Sequence, residues 1–332
     1  MNVRRIGAIW MSVLLVVVGC LPAPQPTPAL VQLTVGLGYI PSVQFAQFYR
    51  AQRQGYYRDA GLDVTFQNQI DPQLITLLGQ DAVHIGMADG TSVIPAAGQG
   101  IPVRYAATIY ARFPSVVIAA ADSGITTAAD LRGARLGIPG RFGSSWIMLQ
   151  ALLASAGLTV DDLTIVDYPD FGQAVALRQG QVDAATGFAN NEPVQLEREG
   201  FPVTVLTVDE ITPLPGPGLT AGEGNLQHLA LPLRGFVEAT LRAMREIIED
   251  PLVGLEDAIA TVPELGSERD TQLAILEATI AQWRSPYTDA HGLGAIDQDA
   301  WQSSIEFMRS LPDSNLPADL AAEQLVTQEL LP

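Results

Sequence analysis

Residues 38–64 read GYIPSVQFAQFYRAQRQGYYRDAGLDV, and six of the chain's aromatic residues (Tyr39, Phe45, Phe48, Tyr49, Tyr56 and Tyr57) fall within them. Spacing sorts these rings. Ser42 is a capping residue, Phe45, Phe48 and Tyr49 share one helical face at i, i+3, i+4, and Gly55 supplies a stop. The stretch before it, Val31–Leu37, alternates apolar residues and reads as a strand, and Leu62–Phe66 reads as the next. A strand, a helix and a second strand predict a parallel pair with a crossover helix. Phe48 and Tyr49 then face a core, and Tyr56 and Tyr57 follow the helix stop at the far end. Tyr39 and Gln44 flank the helix N-terminus at the carboxyl end of the strand, where ligands of such sheets lie.

The rhythm continues. A helix over Pro72–Leu78, a strand at Val83–Met87, a helix at Ser92–Gly98 and a strand at Val103–Ile109 extend the first sheet. It restarts with a short helix at Thr127–Gly133, a strand at Arg135–Ile138 and a helix over Trp146–Ala156. Strands at Leu163–Val166 and Ala184–Gly187 follow, with the helix Gly172–Gln179 between them. From Leu233 the pattern is helical, with further helices near Thr271–Trp283 and Asp297–Leu311. The fold class expected is α/β, two-lobed, each lobe a doubly wound, mainly parallel sheet with flanking helices. Residues 31–118 and 211–332 would form a discontinuous first lobe and residues 119–210 the second. The Pro/Gly-rich segment Thr212–Gly224 would be the return crossing.

The N-terminus predicts an address. Arg4 and Arg5 precede the apolar run Ile6–Val18, too short for a mature span, and residues 1–19 read as a secretory signal. Val17-Val18-Gly19-Cys20 places the chain's single cysteine at the cleavage point, which resembles the lipobox of bacterial lipoproteins, with Cys20 as the lipidated residue. In residues 20–30 prolines 22, 24, 26 and 28 alternate with other residues, a semi-rigid spacer. The expected protein is extracytoplasmic, tethered to the cell membrane by its lipid.

Composition excludes several classes. One cysteine allows no internal disulfide and no CxxC site. All 18 basic residues are arginine against 36 acidic residues, so there is no Walker A lysine and no Schiff base. Without residues 1–19 two arginines and no acid are lost, and so acidic a body is a poor partner for nucleic acid. No GxSxG, HExxH or GxGxxG motif occurs. His84 lies in an apolar strand, and His228 and His291 lie in expected loops with no adjacent nucleophile motif. No catalytic residue, metal site or cofactor is expected, and an extracytoplasmic enzyme is the minority reading.

Four loops fall at the carboxyl ends of strands. They carry Tyr39 and Gln44; Asp89 and Thr91; Arg141, Phe142 and Ser144; and Phe188, Asn190, Asn191 and Glu192. Ser42 and Ser144 can also be helix caps, Asp89 a capping carboxylate and Phe188 core. Together the loops offer rings, neutral or acidic hydrogen-bonders and one cation.

Taken in order, Gly38-Tyr39-Ile40-Pro41, Gly55-Tyr56-Tyr57 with Ala60-Gly61-Leu62-Asp63-Val64, and Gly100-Ile101-Pro102-Val103 have a familiar spacing. So do Asp130-Leu131-Arg132-Gly133, Gly180-Gln181-Val182-Asp183-Ala184 and Gly294 through Trp301. Over residues 31–310 the chain resembles the substrate-binding lipoproteins of ABC importers in the thiamine-pyrimidine-precursor, nitrate, sulfonate and taurine group. The resemblance implies a type II periplasmic-binding-protein fold, a monomer that closes on a small-molecule ligand and is read by a permease with its ATPase. It leaves the ligand open. GYIPSVQFAQFY looks closest to the branch proposed to bind riboflavin, and Gly38 before Tyr39 leaves room for a large ring. A thiamine pyrimidine precursor is the alternative. A sulfonate- or nitrate-type anion is a third, disfavoured by Asp89 and Glu192. The related pyrimidine synthases use a cysteine-rich motif and a catalytic histidine, which one lipidated cysteine cannot supply.

Overall fold

The computed structural model describes residues 29–332 apart from 69, 71–72, 210 and 312–313. The expected signal peptide, Cys20 and most of the proline spacer lie outside the described residues.

The chain builds two five-stranded sheets. The first contains β1 (Val31–Leu37), β2 (Leu62–Asn68), β3 (Ile85–Asp89), β4 (Val103–Thr108) and a strand that arrives much later in sequence. The second contains β5 (Ser115–Ala120), β6 (Arg135–Ile138), β7 (Thr164–Asp167), β8 (Ala184–Phe188) and β9 (Val203–Leu206). The late strand is β10 (Pro217–Gly222), and the orders are β2-β1-β3-β10-β4 and β7-β6-β8-β5-β9. β1 and β6 have the expected bounds. In each sheet four strands run one way and a single strand opposes them: β10 against β3 and β4, β5 against β8 and β9. The antiparallel strand is in each case the first one laid down after the chain crosses over.

The structure adds β5, β9 and β10 to the strands expected from sequence. A boundary at 118/119 would cut β5, which belongs whole to the second sheet, so the first crossing runs through residues 109–114. The Pro/Gly-rich return segment contains a strand, β10, wedged between β3 and β4 and buried along its length. The two crossings run side by side. The N–H groups of Ile109 and Tyr110 both donate to the Pro217 carbonyl, and a Cβ on Gly216 would stand 2.5 Å from the Tyr110 carbonyl oxygen. Only glycine permits that approach.

The opening aromatic stretch resolves mostly as packing. Ser42 accepts from the Gln44 N–H at the head of a 3-10 turn, Val43–Phe45, that runs into the helix Ala46–Arg53. Phe48 is fully buried and stacks on Phe236 of the long helix Ala230–Glu249, and Tyr57 stacks on the same Phe236 at 4.9 Å. Tyr57 also shares a 2.9 Å hydrogen bond with Thr240. Removing the Phe48 ring would cost about 3–5 kcal/mol by cavity formation. Tyr39 stands apart, half-buried at the exit of β1.

The helices close the layers. Ala230–Glu249, Pro251–Thr261 and Arg269–Gln282 cover one face of the first sheet, and Gln73–Gly79, Gly90–Gly98 and Gln298–Ser310 cover the other. The helix Gly143–Ser155 packs one face of the second sheet, and Gln173–Arg178 and Glu192–Arg198 pack the opposite face. Among the described residues no helix is long and apolar enough to cross a membrane.

Candidate functional site

Four parallel strands end on one cleft. β1 runs out at Leu37 and passes Tyr39 to the Ser42 cap, and β3 ends at Asp89 with the helix Gly90–Gly98 starting at once. β6 ends at Ile138 ahead of Gly143–Ser155, and β8 ends at Phe188 ahead of Glu192–Arg198. The carboxyl ends of two sheets thus face each other across a cleft of about 900 Å³, open mouth included.

Eight of the predicted residues line it. Tyr39, Gln44 and Asp89 come from the first sheet; Phe142, Ser144 and Phe188 come from the second, with Asn191 and Glu192 beyond them. Three do not. Thr91 is 1% exposed, the second residue of its helix and turned away from the cleft lining. Arg141 is exposed, its guanidinium 5.8 Å above the Trp146 ring. Asn190 is fully buried beneath the cleft, where its Nδ2 donates to Gln44 Oε1 (2.8 Å), Thr279 Oγ1 (2.8 Å) and Tyr110 Oη (3.3 Å). Gln44, Asn190, Tyr110 and Thr279 come from the first body, the second, the crossing and the helix Arg269–Gln282. Their network ties the two sheets together under the site.

Sequence reasoning missed several lining residues, among them Phe45, Tyr110, Phe171 and Gln173. Phe171 follows β7, a fifth strand end at the same rim, and that topological position was its signal. Its ring meets Tyr39 edge-to-face across the cleft, 5.0 Å between centroids at 89°. Phe171 also adopts φ +62°, a left-handed conformation costly for an aromatic residue and characteristic of functional turns. Gln173 donates Nε2 to the Thr186 carbonyl at 3.1 Å, while its buried Oε1 has no partner among the described residues. Gly38 does line the cleft, but close approach is a reason for its glycine: a Cβ there would sit 2.6 Å from the Met87 carbonyl oxygen.

The electrostatics are acidic. Asp89 Oδ2 accepts from the Ser144 N–H at 3.3 Å, reaching from one sheet to a helix of the other. Burial pushes the Asp89 carboxyl above its ordinary range, against the hydrogen bonds from Ser144. Glu192 Oε2 accepts from the Phe188 N–H at 2.7 Å, and burial raises this carboxyl too, opposed by the Phe188 and Glu192 amides and the Asn191 side chain. Burial, and then the Glu192 charge, push the Tyr39 phenol well up. No arginine or histidine is among the lining residues. His84 accepts from the Thr34 N–H within the first sheet, and His291 packs on Tyr287. Among the described residues no cluster of potential ligands could hold a metal ion.

Two mainly parallel sheets, crossed twice by the chain and meeting at a cleft, define the type II two-lobed fold of periplasmic binding proteins. The alkanesulfonate-binding protein SsuA of Xanthomonas axonopodis, solved with MOPS, shares it: TM-score 0.70 at 19% identity, covering 91% of this chain and 99% of that one. The chain belongs to the NMT1/THI5-like family, whose sequence model matches residues 42–252. It is 33% identical to the riboflavin-binding protein RibY of Chloroflexus aurantiacus over 316 residues, which are 94% of this chain and 89% of that protein. It is also 26% identical over 239 residues to the 4-amino-5-hydroxymethyl-2-methylpyrimidine phosphate synthase of Aspergillus parasiticus, covering 67% of this chain and 68% of the synthase.

Proposed function

We propose that this protein is the extracytoplasmic solute receptor of an ABC importer and that it captures riboflavin. The observation that carries the reading is the composition of the cleft. Rings from both bodies (Tyr39 on one, Phe142, Phe171 and Phe188 on the other) surround acceptors, with no cation among the lining residues. A planar nitrogen heterocycle that donates N–H and O–H bonds fits such a lining, and an isoalloxazine with a hydroxylated side chain has these properties. The likeness to RibY supports the same choice.

In this reading the ring lies against Tyr39 and an opposing ring of the second body, while Gln44, Asn191, Glu192 and the free Gln173 oxygen receive its donors. Closure brings both bodies onto the ligand, and the permease recognises the closed form. Cys20 carries the lipid that keeps the receptor at the membrane, and the protein works as a monomer without a cofactor. The likeness to a riboflavin-binding and a formylaminopyrimidine-binding protein supports binding over catalysis. A pyrimidine precursor of thiamine is the second reading, favoured by the likeness to the pyrimidine phosphate synthase.

The test is direct. The purified mature chain should quench riboflavin fluorescence with saturable, one-to-one stoichiometry. No quenching at micromolar protein, with heat released on adding a thiamine pyrimidine precursor instead, would replace riboflavin by the second ligand.

A further inference from the structure

We propose that the cleft selects the unphosphorylated form of its ligand and rejects the phosphate ester of the same ring, with Asp89 as the determinant because its carboxylate occupies the amino end of the helix Gly143–Ser155. The proposal rests on the vitamin-receptor reading above and narrows it to one chemical form.

An anion entering this cleft would meet the amino end of a long helix. Gly143–Ser155 is a 13-residue helix whose amino end opens on the cleft, with Gly143 and Ser144 both in the lining. Such an end carries roughly half a positive charge and unpaired N–H donors, the usual seat for a phosphate or sulfonate. Here the residue before it, Phe142, supplies no side-chain cap. The cap comes from the other body: Asp89 Oδ2 accepts the Ser144 N–H, and the same oxygen lies 3.6 Å from where a Gly143 Cβ would be. The protein's own carboxylate therefore sits where a ligand's anionic group would sit.

Three further observations point the same way. Glu192 takes the Phe188 N–H, a second donor that an anion could have used. The Asp89 and Glu192 charges both reach the Tyr110 phenol at the cleft floor, where they add to the upward push of burial. The one loop cation, Arg141, lies over Trp146 and is not among the lining residues. Ionised, the Asp89 carboxylate repels an anion brought to this helix end, while its oxygen holds the Ser144 amide. The fold is shared with a sulfonate-binding protein, so the fold itself admits an anionic ligand, and side chains decide the sign.

The experiment titrates the mature chain with riboflavin and riboflavin 5′-phosphate, and with hydroxymethylpyrimidine and its phosphate, by calorimetry. Asp89→Asn, which keeps the shape, and Asp89→Ala are titrated alongside, with circular dichroism to verify folding. In the parent the neutral member of the pair that binds should exceed its phosphate by about a hundredfold or more, as like charges in a desolvated site require. Asp89→Asn should close that ratio by at least about tenfold, mainly by gain of phosphate affinity, since it removes the charge and leaves the space unchanged. Riboflavin bound with its phosphate within threefold overturns the proposal and leaves the function reading standing. A ratio that both folded variants leave unchanged also overturns it, because the discrimination is then steric. If only the pyrimidine pair binds, the riboflavin reading fails and the ratio within that pair decides the proposal. Binding of none of the four overturns both.

Discussion

Replacing Asn190 by alanine should loosen the receptor without unfolding it. Asn190 is fully buried, and its Nδ2 makes 2.8 Å bonds to Gln44 and Thr279, which stand on the opposite body. Each such bond contributes a net of about 1 kcal/mol, and an orphaned acceptor would cost more if it stayed dry. In this molecule it need not stay dry. The bonds span two bodies, so opening the cleft lets water reach Gln44 and Thr279. The loss then appears in the closed-open equilibrium, about 2 kcal/mol, and hardly in the cores of the two sheets. Apparent affinity scales with the fraction competent to bind, so an open-biased variant should bind about 30-fold more weakly. Calorimetric titration with riboflavin measures this, and small-angle scattering of the ligand-free variant should show a larger radius of gyration than the parent. Affinity within threefold of the parent, with unchanged scattering, would refute the claim that this network controls closure.

Other expectations concern single features. Arg141→Ala should change ligand affinity by less than about fivefold, the limit of ~1 kcal/mol for an exposed charge, and a tenfold loss in titration would show the guanidinium reaching the ligand. Arg50 bonds Glu246 (2.7 Å) and Asp257 (3.0 Å) with only 14% of its side chain exposed. Arg50→Met should therefore lower the urea stability by about 2–3 kcal/mol. That is less than the ~3–5 kcal/mol of a fully buried pair, because Arg53 and Gln54 still reach Asp257. Ligand affinity of that variant should not change, since the cluster lies on the far face of the first sheet. Acid and neutral pH should act on different carboxyls. The Arg135 guanidinium and backbone N–H hold Asp183 below its ordinary range, so its stabilisation is present above about pH 4 and is lost as pH falls through the lower folded value. Glu192 is raised by burial, so its contribution is full below the unfolded value and is lost as pH rises through the folded one. Melting curves from about pH 4 to pH 8 should show Glu192→Gln declining less toward neutrality than the parent, and parallel curves would refute the assignment.

Period and punctuation were enough for much of the fold. β1 and β6 alternate or cluster between clear stops, and Ser42 and Gly55 bracket the first helix. β5 and β10 were illegible for a physical reason. Ser115–Ala120 is buried on both faces, so its sequence SVVIAA shows no alternation, and Pro217–Gly222 has turn composition yet is held as a strand by partners on both sides. The site followed the same division. Strand carboxyl ends locate the cleft from sequence, and most residues placed there do line it. Which way a loop side chain turns is a tertiary matter. Asn190 and Asn191 are neighbours, yet one is in the floor and the other in the wall. Phe171 and Tyr110 were missed because one follows an edge strand and the other lies in a crossing that looked like the end of a strand.

The paired crossings have a mechanical consequence. Residues 109–114 run beside the start of β10, with Gly216 close against the Tyr110 carbonyl and the Ile109 and Tyr110 amides both bonded to the Pro217 carbonyl. Two straps laid edge to edge behave as a leaf flexure. They bend readily about the one axis that lies across both and resist twisting, since torsion would shear one strap past the other and break their shared bonds. Such a hinge predicts bodies that swing apart and return to the same register, with Tyr39 and Phe171 meeting edge-to-face again on each closure.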